Sequence, residues 1–266
     1  MEIIKAFAKL TLSLKVLPLI EIGRFKNYHP IDATMISIDL YDELVISDGN
    51  SFIVEGEYKS QVPEDNLVSK TLQLLNVEKS VRLVKNIPAQ GGLGGGSADA
   101  GALIRWALES SNPKVRNSAN DLVSDYSEIA LKLGADVPFC IHGGYAKVLG
   151  VGEKILPMSF ESKDFILFIL PFGVSTRDVY KNFDLIGSSD EKALNDLFEP
   201  ALRVDPRLES VVNFIELKFK VTPNLAGSGS TLYYEVDDSL KYKIEEGTYE
   251  CEVGDIKVIK AHSICY

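Results

Sequence analysis

Apolar and polar positions alternate from the start of the chain, and the pattern there favours extended structure. Residues 3–16 set Ile3, Ile4, Ala6, Ala8, Leu10, Leu12 and Leu14 among Lys5, Lys9 and Lys15, and they predict a strand or a pair of strands. Tyr28–Pro30 falls in a loop with turn character. Residues 33–40 and 43–47 predict two more strands around a turn at Tyr41-Asp42. Leu67, Val68, Leu72 and Leu75 fall near one side of a helix over residues 64–75. Residues 80–87 then read as a strand and 97–110 as a helix, with Leu103, Ile104, Ala107 and Leu108 on one side. A third helix is predicted over 120–133, ended by Gly134 as a C-terminal cap. Residues 145–157 predict a hairpin turning around Gly150–Gly152, and the unbroken apolar run 165–170 a strand buried on both faces. Helices over 177–183 and 206–218 lie either side of the polar stretch 187–191. A strand over 231–236, a helix over 239–246 and a strand pair over 251–261, broken at Gly254, follow. Strands and helices mix without regular βα alternation, which predicts the α+β class. A division into residues 1–150 and 151–266 is expected, since the hairpin closes one set of elements and the apolar strand opens another.

Composition narrows the partners more than the fold. The chain has 266 residues, 45% hydrophobic and 25% charged, enough for one large domain or two modest ones with real cores. Its net charge of −10 argues against nucleic acid and against an anionic membrane surface, both of which call for a basic footprint. It leaves room for a nucleotide, whose phosphates need only a local positive site. Cys140, Cys251 and Cys265 are far apart and odd in number, without a Cys-x-x-Cys metal spacing, as in a reduced, cytoplasmic protein. The N-terminal apolar residues are interrupted by lysines, unlike a signal peptide. The longest apolar run, 165–170, is far too short to cross a bilayer. A small-molecule substrate and a monomer or homodimer are the expected partners.

Between the predicted strand 80–87 and the predicted helix 97–110 lies Gln90-Gly91-Gly92-Leu93-Gly94-Gly95-Gly96-Ser97-Ala98-Asp99, with five glycines in six residues. Glycine removes the side chains that would keep another group from the backbone. A loop that opens into a helix start presents unpaired N–H groups and the positive end of the helix dipole, a combination suited to phosphate. The bland reading is a flexible surface loop, which rarely feeds directly into an amphipathic helix. The P-loop pattern fails, because Ser97 and Ala98 follow Gly96 where Lys-Ser/Thr belongs. The dinucleotide pattern fails as well, because Ser97 stands where its third glycine is required.

Residues Pro88 to Ser97 instead resemble the Pro-x-x-Gly-Gly-Leu-Gly-Gly-Gly-Ser-Ala/Ser signature of the kinases named for galactose, homoserine, mevalonate and phosphomevalonate, the GHMP kinases. Two more segments are similar to that family, in the same order. Ala6-Phe7-Ala8-Lys9-Leu10-Thr11-Leu12 resembles Pro-Ala-Lys-x-Asn-Leu, and Leu225-Ala226-Gly227-Ser228-Gly229-Ser230-Thr231 resembles Ser/Thr-Gly-Ser-Gly-x-Thr. With Leu133-Gly134-Ala135-Asp136-Val137-Pro138-Phe139, the likeness is strongest to the branch that phosphorylates the 2-hydroxyl of a cytidine-diphosphate-linked sugar alcohol in non-mevalonate isoprenoid synthesis. The resemblance implies an N-terminal domain like domain 2 of ribosomal protein S5, with a left-handed βαβ crossover, and a ferredoxin-like C-terminal domain. It implies ATP and Mg²⁺ bound in the cleft between them; no carboxylate cluster names the ligands of the metal ion. Phe7 in place of Pro, Thr11 in place of Asn and Gln90 in place of Gly depart from the pattern.

Residue roles follow from the same resemblance. Asp136 is the base and Lys9 holds it and the acceptor oxygen; taken singly, Lys9 could be a solvated edge-strand lysine and Asp136 a helix N-cap before Val137-Pro138. Pro88, Gly91, Gly92, Leu93, Gly94, Gly95, Gly96, Ser97 and Ala98 form the phosphate loop, with Ser97 as the expected N-cap. Asn66 and Lys85 match residues near the nucleoside, and each could equally be a surface residue; the role of Asp99 stays open. Gly227 and Ser228 support phosphate and substrate, or simply form a tight turn. Thr11, Tyr28, His29, Thr176, Tyr180 and Lys181 match the acceptor side, where a cytosine ring would stack between Tyr28 and Tyr180; each aromatic alone could be ordinary core packing. Two other readings remain: a kinase of the same family acting on mevalonate, homoserine or a sugar, or a nucleotide-binding relative without catalysis.

Overall fold

The alternating start of the chain becomes one long strand, β1 (Glu2–Val16), antiparallel to a slightly longer β2 (Ile31–Ser47). Two register shifts, between Phe7 and Lys9 and between Thr11 and Ser13, bracket the segment from Ala8 to Thr11, every residue of which is buried. Irregularities of this kind re-aim side chains. The computed structural model describes residues 1–187, 193–236 and 244–266. No turn forms at Tyr41-Asp42, contrary to the sequence expectation; β2 runs straight through it. Asp42 is fully buried and accepts the backbone N–H groups of Asn86 and Ile87, so a residue type common in turns serves here as an anchor.

The first sheet continues with β3 (Phe52–Glu55), a 3-10 turn at Lys59–Gln61, α1 (Leu67–Leu74) and β4 (Ser80–Val84), which lies parallel to β3. Asn66 caps α1 by accepting the N–H of Ser69 at 3.0 Å. Next come α2 (Gly95–Leu108), α3 (Pro113–Val123), α4 (Tyr126–Lys132) and α5 (Val137–His142). The single helix predicted over 120–133 is thus two. Asp125 interrupts it, capping α4 through the N–H groups of Ser127 and Glu128. The predicted hairpin is present as β5 (Tyr145–Gly150) and β6 (Lys154–Pro157). Strand order is β3-β4-β2-β5-β6, with β1 along the other edge of β2. A division at residue 150 therefore cuts a hairpin that belongs whole to this sheet.

The second sheet is antiparallel, in the order β10-β11-β7-β9-β8, built from β7 (Asp164–Ile169), β8 (Asn224–Leu225), β9 (Leu232–Glu235), β10 (Gly247–Tyr249) and β11 (Ile256–His262). Helices α6 (Thr176–Ile186), α7 (Phe198–Val204) and α8 (Arg207–Phe219) accompany it; α7 has no counterpart among the predicted elements. The predicted strand pair over 251–261 is displaced, because residues 250–255 form the connection between β10 and β11. Most of the helix predicted over 239–246 and most of the polar stretch 187–191 lie outside the described residues, and residues 244–246 are not helical.

Two packing features set up the cleft. A methyl group at Gly101 of α2 would lie 2.7 Å from the backbone of Cys140 in α5, so glycine lets these two helices touch. The two sheets are also sewn together along β1. Leu14 donates to the carbonyl of Leu194 at 2.8 Å and accepts from Asp196 at 2.9 Å, and the Tyr233 hydroxyl donates to the Leu12 carbonyl at 3.2 Å.

Candidate active site

Glycines let three chain segments meet at one point. The carbonyls of Gln90 and Gly91 accept the N–H groups of Ser230 and Thr231, each at 3.1 Å. A methyl group at Gly92 would fall 1.9 Å from the Ala226 carbonyl oxygen. On the other side, Lys9 donates its backbone N–H to the Leu93 carbonyl at 3.0 Å, and a methyl group at Gly94 would lie 2.9 Å from the Lys9 side chain. The glycine loop is thus clamped between β1 and the 226–231 turn. Gly94 (φ 67°, ψ 28°) occupies the N-cap of α2, so Ser97 lies within the first turn and does not cap the helix as its sequence position suggests.

At the foot of the loop, Lys9 is only 4% exposed. Its Nζ donates to Thr11 Oγ1 at 3.1 Å and lies 3.3 Å from Asp136 Oδ2. Asp136 sits just before α5, yet its side chain makes no capping hydrogen bond. The bland reading of that residue is therefore not what the chain uses. Lys9, Thr11, Asp136, the glycine loop, Gly227 and Ser228 line a cleft of about 430 Å³. Thr176 at the start of α6 closes its rim, its Oγ1 lying 2.7 Å from Ser228 Oγ.

A second cavity of about 500 Å³ opens beside the first and shares Ile31, Ala135, Thr176 and Tyr180 with it. Tyr28, His29, Tyr180 and Lys181, drawn from positions some 150 residues apart, all line this cavity. The arrangement differs from the sandwich expected from sequence. His29 itself stacks on Tyr180, with centroids 5.8 Å apart and planes at 28°. Its Nδ1 lies 2.7 Å from the Leu17 carbonyl oxygen and its Nε2 2.8 Å from Asp184 Oδ1, so neither ring nitrogen is left for a base. Tyr28 is 45% exposed at the mouth. Burial raises the Tyr180 hydroxyl well above its usual range, with the Asp136 charge adding to the effect. Lys181 pairs with Asp178 at 3.2 Å in solvent.

Comparison with known proteins identifies the family of the chain. The profile of the GHMP kinases N terminal domain matches residues 66–144. A 4-diphosphocytidyl-2-C-methyl-D-erythritol kinase of Clostridium botulinum (strain Kyoto / Type A2) is 36% identical over 271 residues, covering 90% of this chain and 92% of its own. The chain belongs to the GHMP kinase family. A protein of the same name from Clostridium beijerinckii is also 36% identical, over 91% of this chain and 93% of its own. Among solved structures, a 4-(cytidine 5'-diphospho)-2C-methyl-D-erythritol kinase superposes with a TM-score of 0.66 at 24% identity, covering 98% of this chain and 99% of the other. The Methanococcus jannaschii mevalonate kinase superposes at 0.56 and 15% identity, over 99% and 98%, a likeness of fold. These neighbours carry the α+β, two-domain GHMP kinase architecture onto this chain.

Within this GHMP kinase, four sequence-derived candidates lie off the cleft surface. Leu93 and Ala98 are core residues that support the loop from within. Asn66 is engaged in capping α1. Lys85 is 3% exposed and turns beneath the loop to Asp42 and Asp99, so neither a nucleoside contact nor a surface role describes its side chain. Pro88 and Gly91, Gly92, Gly94, Gly95 and Gly96 do line the cleft, with Ser97. Two of the three departures from the family pattern, Phe7 and Thr11, are accommodated by the fold. Phe7 packs on Tyr266, with centroids 5.1 Å apart, and edge-on to Tyr41, while Thr11 reaches Lys9 despite its short side chain. Sequence reasoning missed Asn195. Buried before α7, it donates to the carbonyls of Leu225 at 2.9 Å and Gly227 at 2.7 Å and so fixes the turn facing Lys9. A lone Asn carries no signal for that role.

Proposed function

We propose that the chain transfers the γ-phosphoryl group of ATP to the 2-hydroxyl of 4-diphosphocytidyl-2-C-methyl-D-erythritol in the non-mevalonate route to isoprenoid precursors. The observation that carries this reading is the Lys9–Asp136 pair, 3.3 Å apart at the foot of the glycine loop, with the Asp136 carboxylate free of capping duty. Phosphoryl transfer needs charge neutralisation, in-line alignment and an acceptor for the hydroxyl proton. The backbone N–H groups at the start of α2 receive the β- and γ-phosphates. Asp136 accepts the proton as the substrate oxygen attacks phosphorus, and ADP leaves. Lys9 holds the Asp136 carboxylate and the attacking oxygen in register and balances charge in the transition state. The adjoining cavity holds the cytidine end, with Tyr28, Tyr180 and Lys181 at its wall and Thr11, Thr176, Gly227 and Ser228 towards the transferred group.

Mg²⁺ enters with ATP as part of the substrate. Among the described residues no cluster of three or more His, Cys, Asp or Glu side chains could cage it, which suits an ion held chiefly by phosphates and water. Among the described residues no helix is long and apolar enough to cross a membrane, and a cytoplasmic enzyme is proposed on the strength of its metabolite substrate. We further propose an ATP-binding domain followed by a C-terminal domain, with the expected boundary at residue 150 moved to after β6 so that the β5–β6 hairpin stays whole.

ADP release from ATP and Mg²⁺ in the presence of 4-diphosphocytidyl-2-C-methyl-D-erythritol, with mevalonate and homoserine in parallel, tests the proposal. One phosphorylated cytidine product per ADP is expected. Turnover only with mevalonate or homoserine would move the chain to another branch of the family. ATP binding without turnover on any acceptor would make it a non-catalytic relative.

A further inference from the structure

Two carboxylates and one ammonium group are enclosed beneath the glycine loop, and the transfer chemistry above uses none of them. Asp42 Oδ1 accepts the N–H groups of Asn86 at 2.5 Å and Ile87 at 2.8 Å, and its Oδ2 binds Lys85 Nζ. Lys85 also donates to Asp99 Oδ2 at 2.9 Å. The other oxygen of Asp99, Oδ1, is shut away from water with no hydrogen-bond partner among the described residues, on a side chain only 2% exposed. Asp42 therefore has three donors and Asp99 has one. A buried carboxylate oxygen without donors is far cheaper to keep with a proton than with a charge. Burial accordingly drives the Asp99 carboxyl well above the usual range; the Lys85 charge opposes this and the Asp42 charge adds to it. Burial pulls the Lys85 ammonium down, but Asp99 and Asp42 outweigh it and hold it above its ordinary value. Asp99 also acts on the Cys140 thiol of α5, which burial pushes up to about 12 and so keeps neutral, with Asp136 and Asp99 adding to the effect and Lys9 and Arg105 opposing it.

The cluster also lies where charge matters. A methyl group at Gly95 would fall 3.1 Å from Lys85 Nζ, so the cluster presses against the first turn of α2, whose residues Gly95, Gly96 and Ser97 line the cleft. With Asp99 protonated, Asp42, Lys85 and Asp99 sum to zero charge; without that proton they place a net negative charge under a site for a polyanion. We propose that Asp99 is a proton-binding site linked to occupancy of the glycine loop, taking a proton from solvent onto Oδ1 as nucleotide phosphate binds. The inference rests on the reading of that loop as the phosphate site. No bond of the nucleotide changes in this step; only the Oδ1–H bond forms.

Calorimetric titration with ADP between pH 7 and 9.5, in buffers of differing ionisation enthalpy, tests it on the intact chain. ADP phosphates are fully ionised over most of that range. The wild type is expected to take up as much as one proton per ADP bound on the alkaline side. Its affinity is expected to fall with rising pH, towards a limit of about tenfold per pH unit. Asp99→Asn should bind ADP without that proton uptake and with a flat profile. Zero uptake by the wild type, or the same uptake in Asp99→Asn, overturns the proposal and assigns any pH dependence to Lys9 or Lys85. The wild-type proton count stands alone if the variant does not fold. Absence of ADP binding at every pH is a separate result, which removes the phosphate reading of the loop itself.

Discussion

Gly92→Ala probes the clamp that holds the loop. The residue has φ +74°, and its added methyl would sit 1.9 Å from the Ala226 carbonyl oxygen, whereas ordinary contact begins at 3.4 Å. The shortfall is 3.4 − 1.9 = 1.5 Å. The turn cannot readily yield, because that carbonyl also accepts the Gly229 N–H at 2.9 Å and the Ala226 N–H donates to Thr231 at 3.0 Å. The loop must move instead, drawing Leu93 away from the backbone of Lys9. Left-handed backbone at a non-glycine residue adds about 1–2 kcal/mol. A displacement of about 1 Å at a reacting centre can cost about 10²-fold in rate. We therefore expect kcat to fall by about 10² or more in the ADP-release assay, with a melting temperature lower by about 2–4 °C for each kcal/mol lost. Gly96→Ala is the contrast: its methyl would meet only the Leu67 side chain, at 3.5 Å or more, so the melting temperature should hold, and any loss reports on the approach of phosphate. Turnover and melting both within twofold and 1 °C or so of wild type in Gly92→Ala would refute the clamp.

Other perturbations separate the remaining roles. Asp136→Asn should lower kcat by about 10²–10⁴ while KM for ATP changes little; steady-state kinetics with kcat near wild type would dismiss Asp136 as the base. Tyr180→Ala removes both the wall of the side cavity and the face on which His29 stacks, so KM for the cytidine substrate should rise by the equivalent of about 1–3 kcal/mol with KM for ATP unaltered. An unchanged KM for that substrate would defeat the cytidine pocket. Asn195→Ala leaves two buried carbonyls without their donor and should cost about 1–3 kcal/mol by denaturant unfolding; a midpoint matching wild type would show that the 226–231 turn stands without it. The raised Asp99 carboxyl also has a stability signature. Above the unfolded value of about 4, the native chain holds a proton there that the unfolded chain has released. Its stabilising contribution is complete below that pH and is lost as pH rises through the folded value. The slope of unfolding free energy against pH should be flatter in Asp99→Asn, and an unaltered slope would count against a neutral Asp99.

What was legible in the sequence was local. The strand–glycine loop–helix passage could be read because its signals lie within some twenty consecutive residues, and each glycine there meets a specific neighbour in the fold. Lys9 and Asp136 were legible only through motif resemblance, since the contact joining them spans most of the first sheet. Elsewhere the same residue types misled. Tyr41-Asp42 reads as a turn because Asp is common in turns, yet Asp42 is spent on two backbone N–H groups more than 40 residues away. The periodic run 120–133 reads as one helix because apolar spacing says nothing of the Asp125 cap within it. Lys85 was the hardest case. A lysine next to a phosphate loop invites a ligand role, and only the fold reveals that Asp42 and Asp99 already enclose its charge.

The same contrast explains why the cleft is built as it is. Lys9 draws the segments of the cleft together: its backbone holds the glycine loop, its ammonium meets Thr11 and Asp136, and a methyl group at Gly227 would lie 3.3 Å from its Nζ. Three of these contacts come from different elements of the first sheet's layer, and the fourth comes from the second. A buried ammonium left without its partners is strongly disfavoured, so each segment is held in place by the cost of abandoning that charge. The side cavity is built on a looser principle. Its walls, Tyr28 on a loop and Tyr180 on α6, meet through His29 and solvent-exposed Asp184. A buried ion pair at one end and a partly exposed aromatic wall at the other fit the proposed division between a transfer centre and a cytidine pocket. The reacting oxygen must be placed to within a fraction of an ångström, while the tag need only be held.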